Sequence, residues 1–256
     1  MRFRIIPVLL LKNGGLYKGI KFKDHKYVGD PINAVKIFNE KEVDELVYLD
    51  IEASTKNQPP HLGLLKDIAS ECFMPLAYGG GINSVGMIRE ILKAGIEKVI
   101  INTAAVRNPK LVEDASRYFG SSTIVASIDV KKDYLGKPRV YINSGQEKTR
   151  LNPVEWAKKL VNLGVGEIII NSIDHDGSLS GYDTKLVRQI VASVSVPVIA
   201  AGGGRGVIDF ASICLNFGAS AAAAGSCFVF HGKHKAVLIT YPSERQIMES
   251  IDLLLQ

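Results

Sequence analysis

The sequence predicts an α/β fold, a single (β/α)8 barrel built from two similar half-barrels, on three observations. Short apolar runs of the kind buried on both faces alternate with helical patterns from end to end, which implies a parallel sheet covered by helices. The alternation repeats eight times, the number that closes such a sheet into a barrel. An internal echo runs at a spacing of 122 residues, carrying Pro75 onto Pro197, Gly80 onto Gly202, Gly81 onto Gly203 and Asp50 onto Ser172. The same spacing sets Asn102-Thr103-Ala104 on Ala224-Gly225-Ser226. A repeat near half the chain length means two like halves, expected at about 1–120 and 121–256 of one domain. The rival, an open doubly wound sheet, would carry a single early G-x-G-x-x-G followed by an acidic residue, and the chain lacks that signature.

Taken in order, residues 5–11 are a continuous apolar run and read as the first strand. Residues 12–31 read as a polar, glycine-studded loop, long enough in a compact domain to be functional or mobile. A helix over 33–40, a strand over 45–50 and a helix over 64–72 follow. Pro75-Leu76 then opens a short strand that ends in Ala77-Tyr78-Gly79-Gly80-Gly81. Helix 85–94, strand 98–101 and helix 110–119 complete the first half. The second half opens with strand 123–130 and a β-hairpin within 131–148, turned at Gly136-Lys137-Pro138. Helix 154–163, strand 167–171, a polar loop over 174–181, helix 184–194, strand 198–201, helix 208–217 and strand 220–224 continue the alternation. A short helix is expected from Gly225-Ser226-Cys227-Phe228, a strand-like run over 236–241, and a closing helix over 244–255.

With 256 residues the chain can bury a full core, and 46% hydrophobic with 22% charged residues is ordinary globular composition. The net charge of +5 comes from Lys and Arg interleaved with Asp and Glu. No basic block or aromatic-rich basic stripe stands out, so nucleic acid is a poor partner, while a phosphorylated metabolite suits the excess charge. Cys72, Cys214 and Cys227 show no C-x-x-C spacing and read as small buried side chains in a reducing compartment. The first residues lack the apolar run of a signal peptide, and no stretch reaches the roughly 18 apolar residues of a membrane span. A cytoplasmic protein with no membrane partner is expected.

The two glycine clusters carry the first chemical signal. A strand that ends in several glycines before a helix offers bare backbone N–H groups and a helix N-terminus, both of which favour a phosphate. The blander reading is a tight turn that needs glycine's backbone freedom. Strand ends in a barrel face its active site. Here they are Leu10, Asp50, Ala77, Asn102, Asp129, Asn171, Ala201 and Ala224. Asp129 ends the apolar run Ile124-Val125-Ala126-Ser127-Ile128, where an acid is costly unless used or paired. A carboxylate bonded to loop backbone is its alternative reading. Asp176, in the 174–181 loop, is either an auxiliary acid or a turn residue.

At these positions the chain resembles the cyclase subunit of imidazole glycerol phosphate synthase along nearly its full length. The match is carried by Leu49-Asp50-Ile51, Gly79-Gly80-Gly81-Ile82, Ile101-Asn102-Thr103-Ala104-Ala105-Val106, Asp129 and Asp174-His175-Asp176-Gly177, extended by Gly181-Tyr182-Asp183 and by Ala223-Ala224 with Ser226. The resemblance implies phosphate sites at Gly80, Gly81 and Thr103 in one half and at Gly202, Gly203 and Ser226 in the other. Lys18, Asp50, Asn102 and Gly177 complete the implied ligand site. It implies a class I glutaminase subunit docked on the N-terminal face, with ammonia passing along the barrel axis through a charged gate of Arg4, Glu45, Lys98 and Glu167. Glu97 lies beside the gate. The bland reading of these four is structural ion pairing at strand starts. No cofactor and no metal are implied; His231 and His234, three apart, lack a third ligand nearby.

Ring closure in the family rests on two opposed aspartates, at the ends of strands one and five. Asp129 is present, but its opposite number is Leu10, which neither gives nor takes a proton. Ala77 and Asn171 stand where threonines are usual, and Ala201 where a serine is. The link over 231–242 is also longer than is usual, and reads as a basic surface loop with a packed apolar segment or as a new docking surface. A lost acid with a retained gate resembles the cyclase paralogues associated with surface polysaccharides, in which ammonia goes to a separate sugar amidotransferase. That role is the leading expectation. A genuine cyclase of histidine biosynthesis and a phosphometabolite-binding scaffold are the alternatives.

Overall fold

A computed structural model of the chain describes residues 3–232, 234 and 236–255. Eight parallel strands form the barrel: β1 (Arg4–Lys12), β2 (Leu46–Asp50), β3 (Leu76–Gly79), β4 (Lys98–Ile101), β5 (Ile124–Lys132), β6 (Glu167–Ser172), β7 (Val198–Ala201) and β8 (Ala221–Ala224). Each pairs with the next, and β8 pairs with β1 from Arg4↔Ala221 to Pro7↔Ala224, so the sheet closes. The (β/α)8 barrel is therefore as the alternation predicts. Eight helices lie outside: α1 (Pro31–Glu40), α2 (Leu62–Ser70), α3 (Val85–Lys93), α4 (Pro109–Phe119), α5 (Pro153–Asn162), α6 (Thr184–Val191), α7 (Val207–Leu215) and α8 (Glu244–Leu255). Their starts are specified locally. Asp30, Ser84, Asn152 and Asp183 accept backbone N–H bonds at the N-termini of α1, α3, α5 and α6. Proline stands in the first turn of α1, α4 and α5, where its missing N–H is not needed.

The two faces of the strands separate two cores. Ile5, Leu9, Leu46, Tyr48, Tyr78 and Val99 pack outward against the helices. Ile6, Val47, Ala77, Ile100, Val125, Ile169, Ile199, Ala201, Ala221 and Ala223 fill the barrel, with Val8 and Leu49 at its upper edge. This is the period-two alternation of a strand, applied to a sheet buried on both sides. Four of the ten interior residues are alanine, and β3 and β8 contribute alanine alone, the least bulk along the axis.

Several expectations are corrected. Residues 12–31 are not a structureless loop: β1 continues to Lys12 and pairs antiparallel with Gly15–Ile20, which pairs with Lys23–Gly29. The polar composition that suggested a loop reflects a hairpin with one face in water. The β-hairpin expected within 131–148 is present, but β5 continues unbroken into it, past Asp129 to Lys132, and pairs with Pro138–Ile142, with Asp129 opposite Tyr141. Leu10 and Asp129 are thus not strand termini; both strands run on into hairpins. Thr103–Arg107 forms a short helix that the sequence pattern did not announce. It shifts the echo by one: Asn102 and Thr103 correspond to Gly225 and Ser226, which open the short helix Ser226–Val229. Of the strand-like run over 236–241, only Ala236–Val237 is strand, paired with Phe230–His231. Leu238 and Thr240 instead donate to the carbonyls of Val229 and Phe228, and Pro242 cannot extend a ladder. Lys233 and Lys235 of the expected basic loop lie outside the described residues. Among the described residues, no helix is long and apolar enough to cross a membrane.

Candidate functional site

The C-terminal ends of the strands enclose a cavity of about 270 Å³. Every residue proposed above for catalysis or ligand binding lines it: Lys18, Asp50, Gly80, Gly81, Asn102, Thr103, Asp129, Asp176, Gly177, Gly202, Gly203 and Ser226, and so does Leu10. The glycine turns have a steric reason of their own. Gly80 has φ +133°, and a Cβ there would lie 2.6 Å from the Asp50 carbonyl oxygen. Gly202, with φ +86°, would place one 2.6 Å from the Ser172 carbonyl oxygen. Both turns must pass under the loop of the preceding unit, so only glycine fits whether or not an anion binds there.

Leu10 and Asp129 sit on β1 and β5, four strands apart around an eight-stranded ring, and therefore face each other across the cavity. Asp129 is 7% exposed. Its Oδ2 accepts from Asn102 Nδ2 at 2.7 Å, and Ser127 Oγ lies 3.4 Å from Oδ1. Asp50 is engaged locally, accepting the backbone N–H groups of Glu52 and Ala53 at 3.0 Å each. Glu52 pairs with Lys56 at 2.8 Å and Lys12 at 3.6 Å. Thr103 Oγ1 accepts from the Asn143 backbone N–H at 2.9 Å, which ties its short helix to the hairpin after β5.

The hairpin over 15–29 lies across the cavity. Lys21 N donates to the Asp176 carbonyl at 2.9 Å, Gly177 presses on the Gly19 carbonyl, and Phe22 packs on Gly145. It delivers the buried Lys18, whose Nζ donates to the Val8 carbonyl and fills the space that a side chain at position 225 would need. Phe22, Gly19 and His25 are cavity residues that the sequence reading missed. Ser127 was missed too, although its position two before Asp129 on one strand puts both on the same face. Asn171, read from the sequence as a strand end facing the site and as a substitution, also lines the cavity.

The opposite end of the barrel carries a closed ring of ion pairs. Arg4 Nη1 meets Glu45 Oε2 at 2.6 Å and its Nη2 meets Glu167. Lys98 Nζ closes the ring at 3.0 Å from Glu45 and 3.2 Å from Glu167. The two carboxylates are buried, at 3% and 9% side-chain exposure, whereas Arg4 and Lys98 keep 33% and 22%. The apolar interior separates this ring from the cavity above it.

The histidine biosynthesis protein family matches the chain over residues 4–235. The chain belongs to this family. Relatives span it almost completely. A Pseudomonas aeruginosa protein provisionally named imidazole glycerol phosphate synthase subunit hisF2 is 50% identical over 96% of this chain and 98% of its own length. A Vibrio vulnificus protein provisionally named subunit hisF3 of the same enzyme is 46% identical over 99% and 98%. The imidazole glycerol phosphate synthase subunit HisF of Alkaliphilus metalliredigens is 40% identical over 98% and 97%.

In this family member the cavity penalises charge. Burial, with the Asp176 charge adding to it, pushes Asp129 up to about 7 against the pull of bonds from Ser127, Asn171 and Asn102. Burial raises Asp176 to about 6, with Lys18 drawing it back. Burial lowers Lys18 to about 8, opposed by Asp176 and Cys227. Three titrating groups with ionisations spread around neutrality give the cavity a proton donor and acceptor near Asp129 and Asp176, while on the β1 side Leu10 supplies none and the titratable group is Lys18, bonded to the Val8 carbonyl.

Proposed function

We propose that the chain is the barrel subunit of a glutamine-dependent ammonia-transfer system. A class I glutaminase docks on the N-terminal face, and the Arg4–Glu45–Lys98–Glu167 ring gates ammonia into the barrel. A phosphorylated ligand occupies the cavity above, held at the two glycine turns with Thr103 and Ser226. The ammonia leaves for a separate sugar amidotransferase that makes an acetamidino or amidine group for a surface polysaccharide. One observation carries this reading. Across the cavity from Asp129 stands the aliphatic Leu10, while Asp50 and Glu52, the carboxylates at the end of the adjacent strand β2, are engaged in a turn and in ion pairs. Two proton transfers on one substrate need two positioned groups, each worth roughly 10²–10⁴ in rate.

The second reading, a genuine cyclase that makes imidazole glycerol phosphate and AICAR in histidine biosynthesis, is favoured by the name of the Alkaliphilus relative and by the proximity of Asp176 to Asp129. The test mixes the full chain with its glutaminase, glutamine and the ribulosyl-phosphate substrate. The expected result is stimulated glutamine hydrolysis with no imidazole product by mass spectrometry. Imidazole formation at ordinary enzyme rates overturns the transfer role, and unstimulated hydrolysis overturns the pairing with a glutaminase.

A further inference from the structure

The long link between β8 and α8 has a destination. After the short helix Ser226–Val229 and the strand pair Phe230–His231 with Ala236–Val237, the chain doubles back along that helix. Leu238 N donates to the Val229 carbonyl and Thr240 N to the Phe228 carbonyl, each at 2.9 Å. The turn places the Tyr241 ring beside Phe228, centroids 5.7 Å apart. Phe228 in turn packs on Phe210 at 5.5 Å. The segment is therefore a strap laid against the outer core, and it ends at the start of β1 rather than over the cavity.

There the Tyr241 hydroxyl sits between two chain segments. Its single proton faces the Ile5 carbonyl at 3.0 Å and Asp44 Oδ2 at 3.1 Å. Asp44 Oδ2 also accepts the Ile5 N–H at 2.9 Å, and the Asp44 N–H points at the hydroxyl at 3.4 Å. Ile5 follows Arg4 and Asp44 precedes Glu45. One node of hydrogen bonds thus ties together, from outside the barrel, the two backbones whose neighbouring side chains meet inside it at 2.6 Å.

We propose that Tyr241 is a positioning residue for the ion-pair ring. Its hydroxyl fixes the height of β1 relative to the segment entering β2, and so sets the distance between Arg4 and Glu45. The physical reason is the short range of the contact. A charge-assisted bond near 2.6 Å is weakened by a slip of a few tenths of an ångström, and the paired register of β1 with β2 begins only at Val8↔Val47, above the two strand starts. The phenol supplies a fixed-length spacer carried on a rigid aromatic stack, and it bonds both segments at once. Phenylalanine in its place would keep the stack and leave the Ile5 carbonyl without this donor. The positioning itself needs no assumption about ammonia; that the ring's closure governs ammonia passage rests on the function proposed above.

The test is made on the full chain labelled with ¹⁵N-arginine, with Arg4→Lys used to assign the Arg4 signals. In the unsubstituted protein the Arg4 Nη resonances are expected to show hindered rotation of the guanidinium. In Tyr241→Phe that rotation should quicken by about fivefold, the factor that one net hydrogen bond represents. Binding of inorganic phosphate at the opposite face should stay unchanged. Asp44→Asn, which weakens the same node without touching the aromatic stack, should act in the same direction if Tyr241→Phe folds poorly. Unaltered Arg4 rotation in both variants overturns the proposal. Adding the glutaminase separates the two readings. Quickened rotation with undiminished coupling of glutamine hydrolysis would leave the positioning role standing and remove the gate.

Discussion

Asp129 carries its carboxyl into a wall of Asn102, Ser127 and Asn171, whereas its partner across the cavity, Leu10, offers only methyl groups. The consequence is a measurable pH dependence. A carboxyl raised from its ordinary value to about 7 binds a proton in the folded chain where the unfolded chain has lost it. Its contribution to stability is therefore full below about pH 4 and is lost as the pH rises through 7. Asp176, raised to about 6, acts with the same sign. Lys18, lowered to about 8, acts in the opposite sense, and stability returns as the pH climbs from 8 toward its unfolded value. The cavity should thus be least favourable to folding between about pH 7 and 8. Asp129→Asn is expected to stabilise the protein at pH 8 by on the order of 1–4 kcal/mol and to be near neutral at pH 4. Urea unfolding at the two pH values reads this directly, and an equal effect at both would show that Asp129 is not held neutral by its surroundings.

Among the elements, the strand–helix turns and the hairpins make different demands on the sequence. A turn that must pass beneath a neighbouring carbonyl leaves a mark in the residue type, because φ +133° at Gly80 excludes a side chain. Gly80→Ala is expected to cost about 1–3 kcal/mol or more from backbone strain and the contact with Asp50. Gly86→Ala, on α3 with open space around it, should stay within about 1 kcal/mol of the parent. Comparable losses for both in thermal unfolding would remove the steric argument. The hairpin over 15–29 carries glycines of the same kind, for a Cβ at Gly19 would lie 2.5 Å from the Lys23 carbonyl oxygen, but scattered through a polar segment they read as loop residues. Its residues alternate only partly, most of its second strand is exposed or half-buried, and its pairing partner is β1 itself, so the length and polarity of the segment suggested a loop. The strap failed in the other direction: Leu238, Ile239 and Thr240 look like a continuation of the strand Ala236–Val237, but the chain there pairs with helix carbonyls.

At the scale of the whole molecule, the ion-pair ring joins residues as far apart in sequence as Arg4 and Glu167. Removing one carboxylate leaves two cations sharing the other. For a fully buried pair the loss is about 3–5 kcal/mol. Here water reaches Arg4 and Lys98, so Glu45→Gln is expected to lose on the order of 1–3 kcal/mol. Binding of inorganic phosphate in the cavity, separated from the ring by the apolar interior, should be unaltered. Calorimetry that showed phosphate affinity falling with Glu45→Gln would mean that the two ends of the barrel are not independent.

The amino-acid sequence alone determined the eightfold alternation, the echo of two glycine clusters, and the residue types at the ends of the strands. Those are local properties: a period of two or of 3.6 and a demand for positive φ are written within a few neighbouring residues. Only the tertiary structure decided that Lys18 arrives in the cavity on a hairpin, that Ser127 and Phe22 line it, and that Tyr241 reaches the strand starts beside Arg4 and Glu45. Barrel closure brings distant segments together through space, and the pattern within any one segment carries no record of which side chain will stand opposite it.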